Sequence, residues 1–335
     1  MTPALSVVMP AYNEAPHIAA TIDALVEAVE FGEVATELVL VDDGSTDGSA
    51  EVATTAAAGR IPVRVLRQPN RGRFEARRAG VEAAKSDLVL LLDARVLVHR
   101  DALAFVRPHL DANESVWTGH VEVLSGGNAF ATFWKLLADL AWADYFDRPR
   151  TTSFGSDDFD RYPKGTTCFL APRSLLLEAM QAVRSRYSDP RRMNDDTPLI
   201  RWISTREQVH ISPRFGCDYR PRTTLQGFVK HSVHRGVVFL DGHGRRESRF
   251  FPVVVAFYPL SLLLTLAVLR RPGRGPQAAA LTALVAGLVG VKRGRSAFEI
   301  GSLALLAPLY ALAHGAGMWR GLMLISERHV PRLPG

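Results

Sequence analysis

The chain has 335 residues, 47% of them hydrophobic and 22% charged, with a formal net charge of +6. That length holds one large α/β domain and an appendage. The basic groups do not mark a nucleic-acid-binding face: Arg245, Arg246, Arg249, Arg270, Arg271, Arg274, Lys292, Arg293 and Arg295 crowd an apolar tail, which favours anionic lipid headgroups and excludes nucleic acid as the first choice of partner. The two cysteines, Cys168 and Cys217, form no metal motif and read as reduced, buried thiols.

Met1 to Pro10 lacks the basic start of a signal peptide, and its run Leu5–Met9 predicts a strand ending at Pro10. The catalytic part is therefore expected in the cytoplasm. Residues 15–30 place Ile18, Ile22, Leu25 and Val29 on one helical face. Glu37–Val41 predicts a second strand running into Asp42-Asp43-Gly44-Ser45-Thr46-Asp47, with Ser45 or Thr46 capping the next helix. Val63–Leu66 is a third strand, 74–85 an Ala-rich helix, and Leu88–Leu92 a fourth strand ending at Asp93. Strands alternating with helices predict an α/β fold built on a mostly parallel sheet, whose ligands bind beyond the carboxyl ends of the strands. Asn13-Glu14, Asp42-Asp43 and Asp93 all fall at such ends.

Residues 100–112 predict a helix and Val116–Val123 another strand. Residues 128–148 carry Phe130, Phe133, Trp134, Trp142, Tyr145 and Phe146 at roughly helical spacing, a stripe that reads as core. The Pro, Gly, Ser and Asp of 149–165 predict a mobile loop. After Arg249 the only acids are Glu299 and Glu327. Phe250–Leu269 is 20 residues without a charge, Ala278–Val291 is apolar over 14 residues, and Ile300–Trp319 carries no acid, Lys or Arg. These segments predict transmembrane or membrane-associated helices and divide the chain into a catalytic domain, 1–240, and a C-terminal membrane region, 241–335. Both inter-segment loops are basic, so the positive-inside rule does not settle the topology.

A sugar nucleotide presents a base, a ribose and a diphosphate. Carboxylates at strand ends can accept from the first two, a carboxylate-held divalent metal or a guanidinium can offset the third, and a deeper carboxylate can take a proton from an acceptor hydroxyl. Four ordered segments make that general chemistry specific: Val8-Met9-Pro10-Ala11-Tyr12-Asn13-Glu14, Val39-Leu40-Val41-Asp42-Asp43-Gly44-Ser45-Thr46-Asp47, Asn70-Arg71-Gly72-Arg73 with Ala76-Arg77-Arg78-Ala79-Gly80, and Leu91-Leu92-Asp93-Ala94-Arg95. Together they resemble family 2 of the inverting glycosyltransferases, which have the Rossmann-like GT-A fold, and in particular the membrane-associated, succinoglycan-type polysaccharide enzymes.

The resemblance implies an inverting hexosyltransferase that takes a nucleotide-sugar, UDP-linked by default. Pro10, Ala11, Tyr12, Glu14, Asp42, Asp43, Asp93, Ala94 and Arg95 would line the donor, with Arg73 near the diphosphate. It implies a divalent cation, Mg²⁺ or Mn²⁺, on Asp93. The family's Asp-x-Asp is broken, however, because Arg95 stands where the second Asp belongs. Arg95 either leaves a metal on Asp93 alone, replaces part of its charge at the phosphates, or points away. Asn194-Asp195-Asp196-Thr197-Pro198 resembles the motif whose last acid is the general base, which maps to Asp196 with Asp195 beside it; the same residues also suit a helix N-terminus. His231, His234 and Arg235 would close over the diphosphate or acceptor side, or else face headgroups from an amphipathic helix. The expected partners are the donor, a glycan or lipid-linked acceptor of envelope polysaccharide synthesis, and membrane lipids, at a multi-pass cell-membrane location. Transfer to a polyprenyl phosphate is one alternative; a non-catalytic sugar-nucleotide-binding subunit of a polysaccharide assembly complex is another.

Overall fold

The structure, a computed structural model, describes residues 4–327; Met1–Pro3, the start of the segment read for a signal peptide, lie outside the described residues. In chain order the elements are β1 (Leu5–Ala11), α1 (Ala15–Gly32), β2 (Thr36–Asp42), α2 (Ser49–Ala57), β3 (Val63–Arg67), α3 (Arg73–Ala83), β4 (Leu88–Leu92), β5 (Val96–Val98), α4 (Ala102–Asp111), β6 (Trp117–Val123), α5 (Ala129–Ala141), α6 (Ala143–Phe146), β7 (Thr152–Phe154), β8 (Cys168–Pro172), α7 (Arg173–Ala182), α8 (Thr197–Ser204), β9 (Val209–Tyr219), α9 (Leu225–His243), α10 (Phe251–Arg270), α11 (Arg274–Lys292) and α12 (Ala297–Glu327). They fall into two compact units that interleave along the sequence. The first takes 1–122, 142–184 and 195–220; the second takes 123–141, 185–194 and the chain from 221 onward.

The first unit carries a nine-stranded sheet in the order β3-β2-β1-β4-β8-β6-β9-β5, with β7 on β9. β3, β2, β1 and β4 are parallel, as the strand–helix alternation implies. Every residue of β1 and β2 is buried, because helices cover both faces of a parallel sheet. Ile18, Ile22, Leu25 and Val29 of α1 enter the core as predicted. α3 lies on β1 and β2 through Gly80, where a Cβ would come within 2.3 Å of Val8 Cγ1 and 3.1 Å of Val41 Cγ2.

Beyond β4 the sheet turns antiparallel: β8 runs against β4 and β6, and β9 against β5 and β7. The sheet is therefore mixed rather than parallel throughout. β8 is a five-residue run with four residues buried and no period-2 signal, and β9 contains Pro213 and Gly216, which break its alternation. Residues 149–165, expected as a mobile loop, supply β7 and a 3₁₀ turn, Phe159–Arg161. Lys164 ties this segment down: its Nζ donates to the carbonyls of Phe159 and Tyr162 and lies 4.2 Å from the Phe159 ring centroid.

The second unit is helical. Half of the aromatic stripe is core here, as predicted: Phe133 and Trp134 of α5 pack with Phe228 of α9 and with Leu303 and Leu306 of α12, whereas Trp142, Tyr145 and Phe146 fall in the first unit. α9 and α12 approach closely through glycine. A Cβ on Gly236 would fall 2.1 Å from the carbonyl oxygen of His314, and one on Gly317 2.1 Å from that of Val233. α10, α11 and α12 are long and apolar enough to cross a membrane, with mean hydropathies of 2.2, 1.2 and 1.4. The 14-residue apolar segment 278–291 thus lies within a 19-residue helix that begins at Arg274.

Candidate active site

The loops after β1 and β2 are stitched together by short polar side chains. Asn13, held at φ 55°, accepts from the Thr46 amide at 2.8 Å and donates its own amide to Ser45 Oγ at 3.1 Å. The Glu14 amide donates to Ser49 Oγ and the Ala15 amide to Asp47. Neither Ser45 nor Thr46 caps α2, which starts after Gly48; Ser45 and Thr46 serve the β1 loop instead. Asp42 accepts from the Ser45 amide, at the edge of an open groove of about 490 Å³ lined by Asp42, Gly44, Ser45, Glu51, Arg67, Gln68 and Pro69. Tyr12 stands half exposed at the end of β1, whereas Pro10 and Ala11 are buried within that strand.

Asp43 is held by three donors. Its oxygens accept from the Gln68 amide group and from the backbone N–H groups of Arg71 and Gly72, at 2.7 to 2.8 Å. Its visible work is to shape the turn that launches α3. Gly72, the last residue of that turn, has φ 89°, a conformation glycine adopts without strain.

α3 then presents Arg73 and Arg77, four residues apart and on one face. Arg77 is buried and forks: Nη2 donates to Asp93 Oδ1 at 2.5 Å and Nη1 to Asp195 Oδ2. Arg73 is half exposed, with Nε 3.4 Å from Asp195 and Nη1 3.9 Å from Asp93 Oδ2. The Asp195 charge beside Arg73 holds that guanidinium even more firmly protonated than usual. Asp93 is fixed from behind by its amide, which donates to the Thr167 carbonyl at 2.9 Å. The sequence motif contained Arg77 but assigned it no part. The spacing of Arg73 and Arg77 on a predicted helix was the signal that they share a face.

Asp196 is the N-cap of α8: Oδ1 accepts from the Thr197 amide, and Oδ2 faces Gly165, where a Cβ would come to 4.0 Å. Burial pushes the Asp196 carboxyl above the usual carboxylate range, and the like charge of Asp195 adds to the rise. Arg73 and the Thr197 hydrogen bonds pull the other way without cancelling it. The structure thus gathers Arg73, Arg77, Asp93, Asp195 and Asp196 at the carboxyl end of β4.

Arg95 does not join Asp93. Its Nε lies 2.7 Å from Glu14 Oε2, an ion pair without a well-directed hydrogen bond, so each atom keeps an unfilled hydrogen-bonding position. Ala94 is buried, and its carbonyl accepts from Thr21 Oγ1. His231, His234 and Arg235 belong to α9 in the second unit. Among the described residues, no group of three or more His, Cys, Asp or Glu forms a ready metal cage. A cation on Asp93 would be held by one carboxylate, through the Oδ2 that Arg73 approaches no closer than 3.9 Å, with phosphate and water completing its shell; a hard divalent ion accepts such a set.

Residues 6–166 match the family model described as glycosyl transferase family 2. The undecaprenyl-phosphate 4-deoxy-4-formamido-L-arabinose transferase of Aeromonas hydrophila is 44% identical over 92 residues, 27% of this chain and 28% of the relative. The protein of that name from Serratia proteamaculans is 39% identical over the same length and coverage. The chain thus spans just over a quarter of the length of the curated relatives it matches. Among solved structures, it is similar to the mannosyltransferase PcManGT of Pyrobaculum calidifontis in complex with GDP-Man and Mn²⁺, at 18% identity and TM-score 0.54 over 98% of this chain and 87% of that one. It is also similar to S. aureus TarS 1–349 in complex with UDP-GlcNAc, at 14% identity and TM-score 0.53 over 98% and 92%. At these identities the likeness is one of fold.

Proposed function

We propose that this chain, whose residues 6–166 match the family 2 glycosyl transferase model, is a transferase that moves a sugar, with inversion, from a nucleotide diphosphate to a lipid-linked or membrane-proximal glycan. The observation that carries this reading is the cluster of Arg73, Arg77, Asp93, Asp195 and Asp196 beyond β4. The groove beside Asp42, with exposed Tyr12 on the neighbouring strand, takes the base and ribose of the donor, a UDP-sugar by default. Arg73, the exposed member of the basic pair, faces the diphosphate; Arg77 holds Asp93 and Asp195 in place. Asp196 accepts the proton of the attacking hydroxyl, because burial and Asp195 have made it a stronger base than an ordinary carboxylate. A Mg²⁺ or Mn²⁺ ion on Asp93 would, when bound, offset charge on the departing diphosphate. α10, α11 and α12 anchor the chain as a multi-pass protein of the cell membrane, with the catalytic unit on the cytoplasmic side.

The names of the relatives favour a second reading, transfer to a polyprenyl phosphate. A phosphate acceptor is already an anion and needs no strong base. Radiolabelled UDP-sugars, offered with Mg²⁺ or Mn²⁺ and with either a lipid-linked glycan or a polyprenyl phosphate, separate the two. For a hydroxyl acceptor, Asp196→Asn should lower kcat about 10³-fold, within the range for loss of a general base. For a phosphate acceptor Asp196→Asn should be tolerated while Asp93→Ala is not. No turnover with any donor–acceptor pair would return the chain to the non-catalytic alternative.

A further inference from the structure

Asp241, near the end of α9, is fully buried, and a carboxyl group out of reach of water is costly unless donors meet it. Three do. Oδ1 accepts from the Arg186 amide at 2.7 Å; Oδ2 accepts from the Asn194 amide at 2.8 Å and from Ser185 Oγ at 3.0 Å. One side chain thus takes both ends of the segment 185–194. The same turn of α9 holds the segment twice more. The buried Tyr187 donates its hydroxyl to the Val237 carbonyl at 2.7 Å, and Asn194 Nδ2 donates to the Val238 carbonyl at 3.0 Å. These bonds account for the place of 185–194 in the second unit. The residues that follow Asn194 are Asp195, which Arg77 holds, and Asp196, the proposed base. Met193 is extended at φ −63° and ψ 139°, and α8 does not begin until Thr197. The chain therefore enters the two acids outside any helix or strand, and the bonds from Asn194 to α9 stiffen it there.

We propose that Asp241 is a positioning residue for Asp195 and Asp196, acting through the backbone of Asn194. Arg77 and the Thr197 amide set where the two carboxylates point; Asp241 sets where the backbone that carries them begins. A base must stand within hydrogen-bond reach of the hydroxyl it serves, and a misplacement of about 1 Å costs on the order of 10²-fold in rate. The assignment deepens the acceptor chemistry proposed above and rests on Asp196 as the base.

The test uses the full chain in lipid nanodiscs with a hydroxyl acceptor, and reads kcat, donor KM and amide hydrogen exchange. Asp241→Asn keeps the shape of the side chain but turns an N–H toward its donors. It should lower kcat about 10- to 100-fold and change donor KM less than about twofold. Exchange over residues 193–200 should quicken, while exchange over β4 should not. Asn194→Pro removes the amide N–H and suits the extended residue before it, so kcat should fall there as well. Asn194→Ala keeps that N–H and should retain most of the activity. Adding Asn194→Pro to Asp241→Asn should lower kcat no further, because both break one link. Where Asp241→Asn fails to fold, the contrast between Asn194→Pro and Asn194→Ala carries the test. Independent, multiplying losses in the double variant, an unchanged kcat in Asp241→Asn, equal losses in Asn194→Ala and Asn194→Pro, or a donor KM that rises as kcat falls would each overturn the proposal. Tolerance of Asp196→Asn together with quickened exchange in Asp241→Asn would sink the base and leave this clasp standing. Loss of activity in Asp196→Asn with an unmoved kcat in Asp241→Asn would do the reverse.

Discussion

Asp196 has two duties that use different properties of one carboxyl group. As the cap of α8 it accepts from the Thr197 amide; as the proposed base it must give up its own proton first. Only the ionised form can accept the proton of an acceptor hydroxyl, so activity should fall as pH drops through its raised pKa. Since Asp195 contributes to that rise, Asp195→Asn should move the acidic limb of the kcat/KM profile to lower pH. A pH–rate profile of the two proteins on a hydroxyl acceptor checks this, and an unmoved limb would show that Asp196 is not the titrating base. Asp43 teaches a different lesson at the same scale. The motif places it at a strand end, where it reads as a ligand to nucleoside; what the motif does not show is that its oxygens also accept from the Arg71 and Gly72 amides. Sequence shows which residue is acidic and where it falls, not which donors reach it first.

At the scale of elements, α3 is the strut of the site. Gly80 lets it settle onto β1, and Arg77 projects from its buried face to hold two carboxylates from distant parts of the chain. Removing that guanidinium leaves the half-exposed Arg73, at 3.4 and 3.9 Å, to offset two buried carboxylates that Arg77 had held at close range. Arg77→Leu should therefore cost about 3–5 kcal/mol, the usual penalty for breaking a buried pair. Thermal unfolding of the detergent-solubilised chain checks it, and Arg77→Lys, a single point charge, should recover only part of the loss. The parallel half of the sheet was legible because long apolar runs alternate with amphipathic helices and end in acids. β8 and β9 were not, because one lacks an alternating pattern and the other is broken by Pro213 and Gly216. The bond from Arg77 to Asp195 spans 118 residues and depends on a fold that local pattern does not encode. Arg95 was visible as a departure from the motif, but its partner, Glu14, was known only as a nucleoside candidate.

For the whole molecule, the apolar tail was plain in the composition, and α10, α11 and α12 cover all three segments read from it. The interleaving of the two units was not, because nothing local marks 123–141 or 185–194 as belonging with the tail. That interleaving limits how the protein can be shortened. A fragment ending at residue 240 retains every proposed catalytic group yet discards Leu303, Leu306 and Tyr310, against which Phe133 and Trp134 pack. Each large side chain so uncovered forfeits about 1.5–3 kcal/mol of burial and becomes a sticky surface. Such a fragment should elute as aggregate on size exclusion, while the full chain in detergent elutes as a defined species. Clean elution of the fragment would show that α5 holds without the tail. The three apolar helices proposed as anchor are thus also scaffolding, and a single cut before them would not release an intact catalytic part.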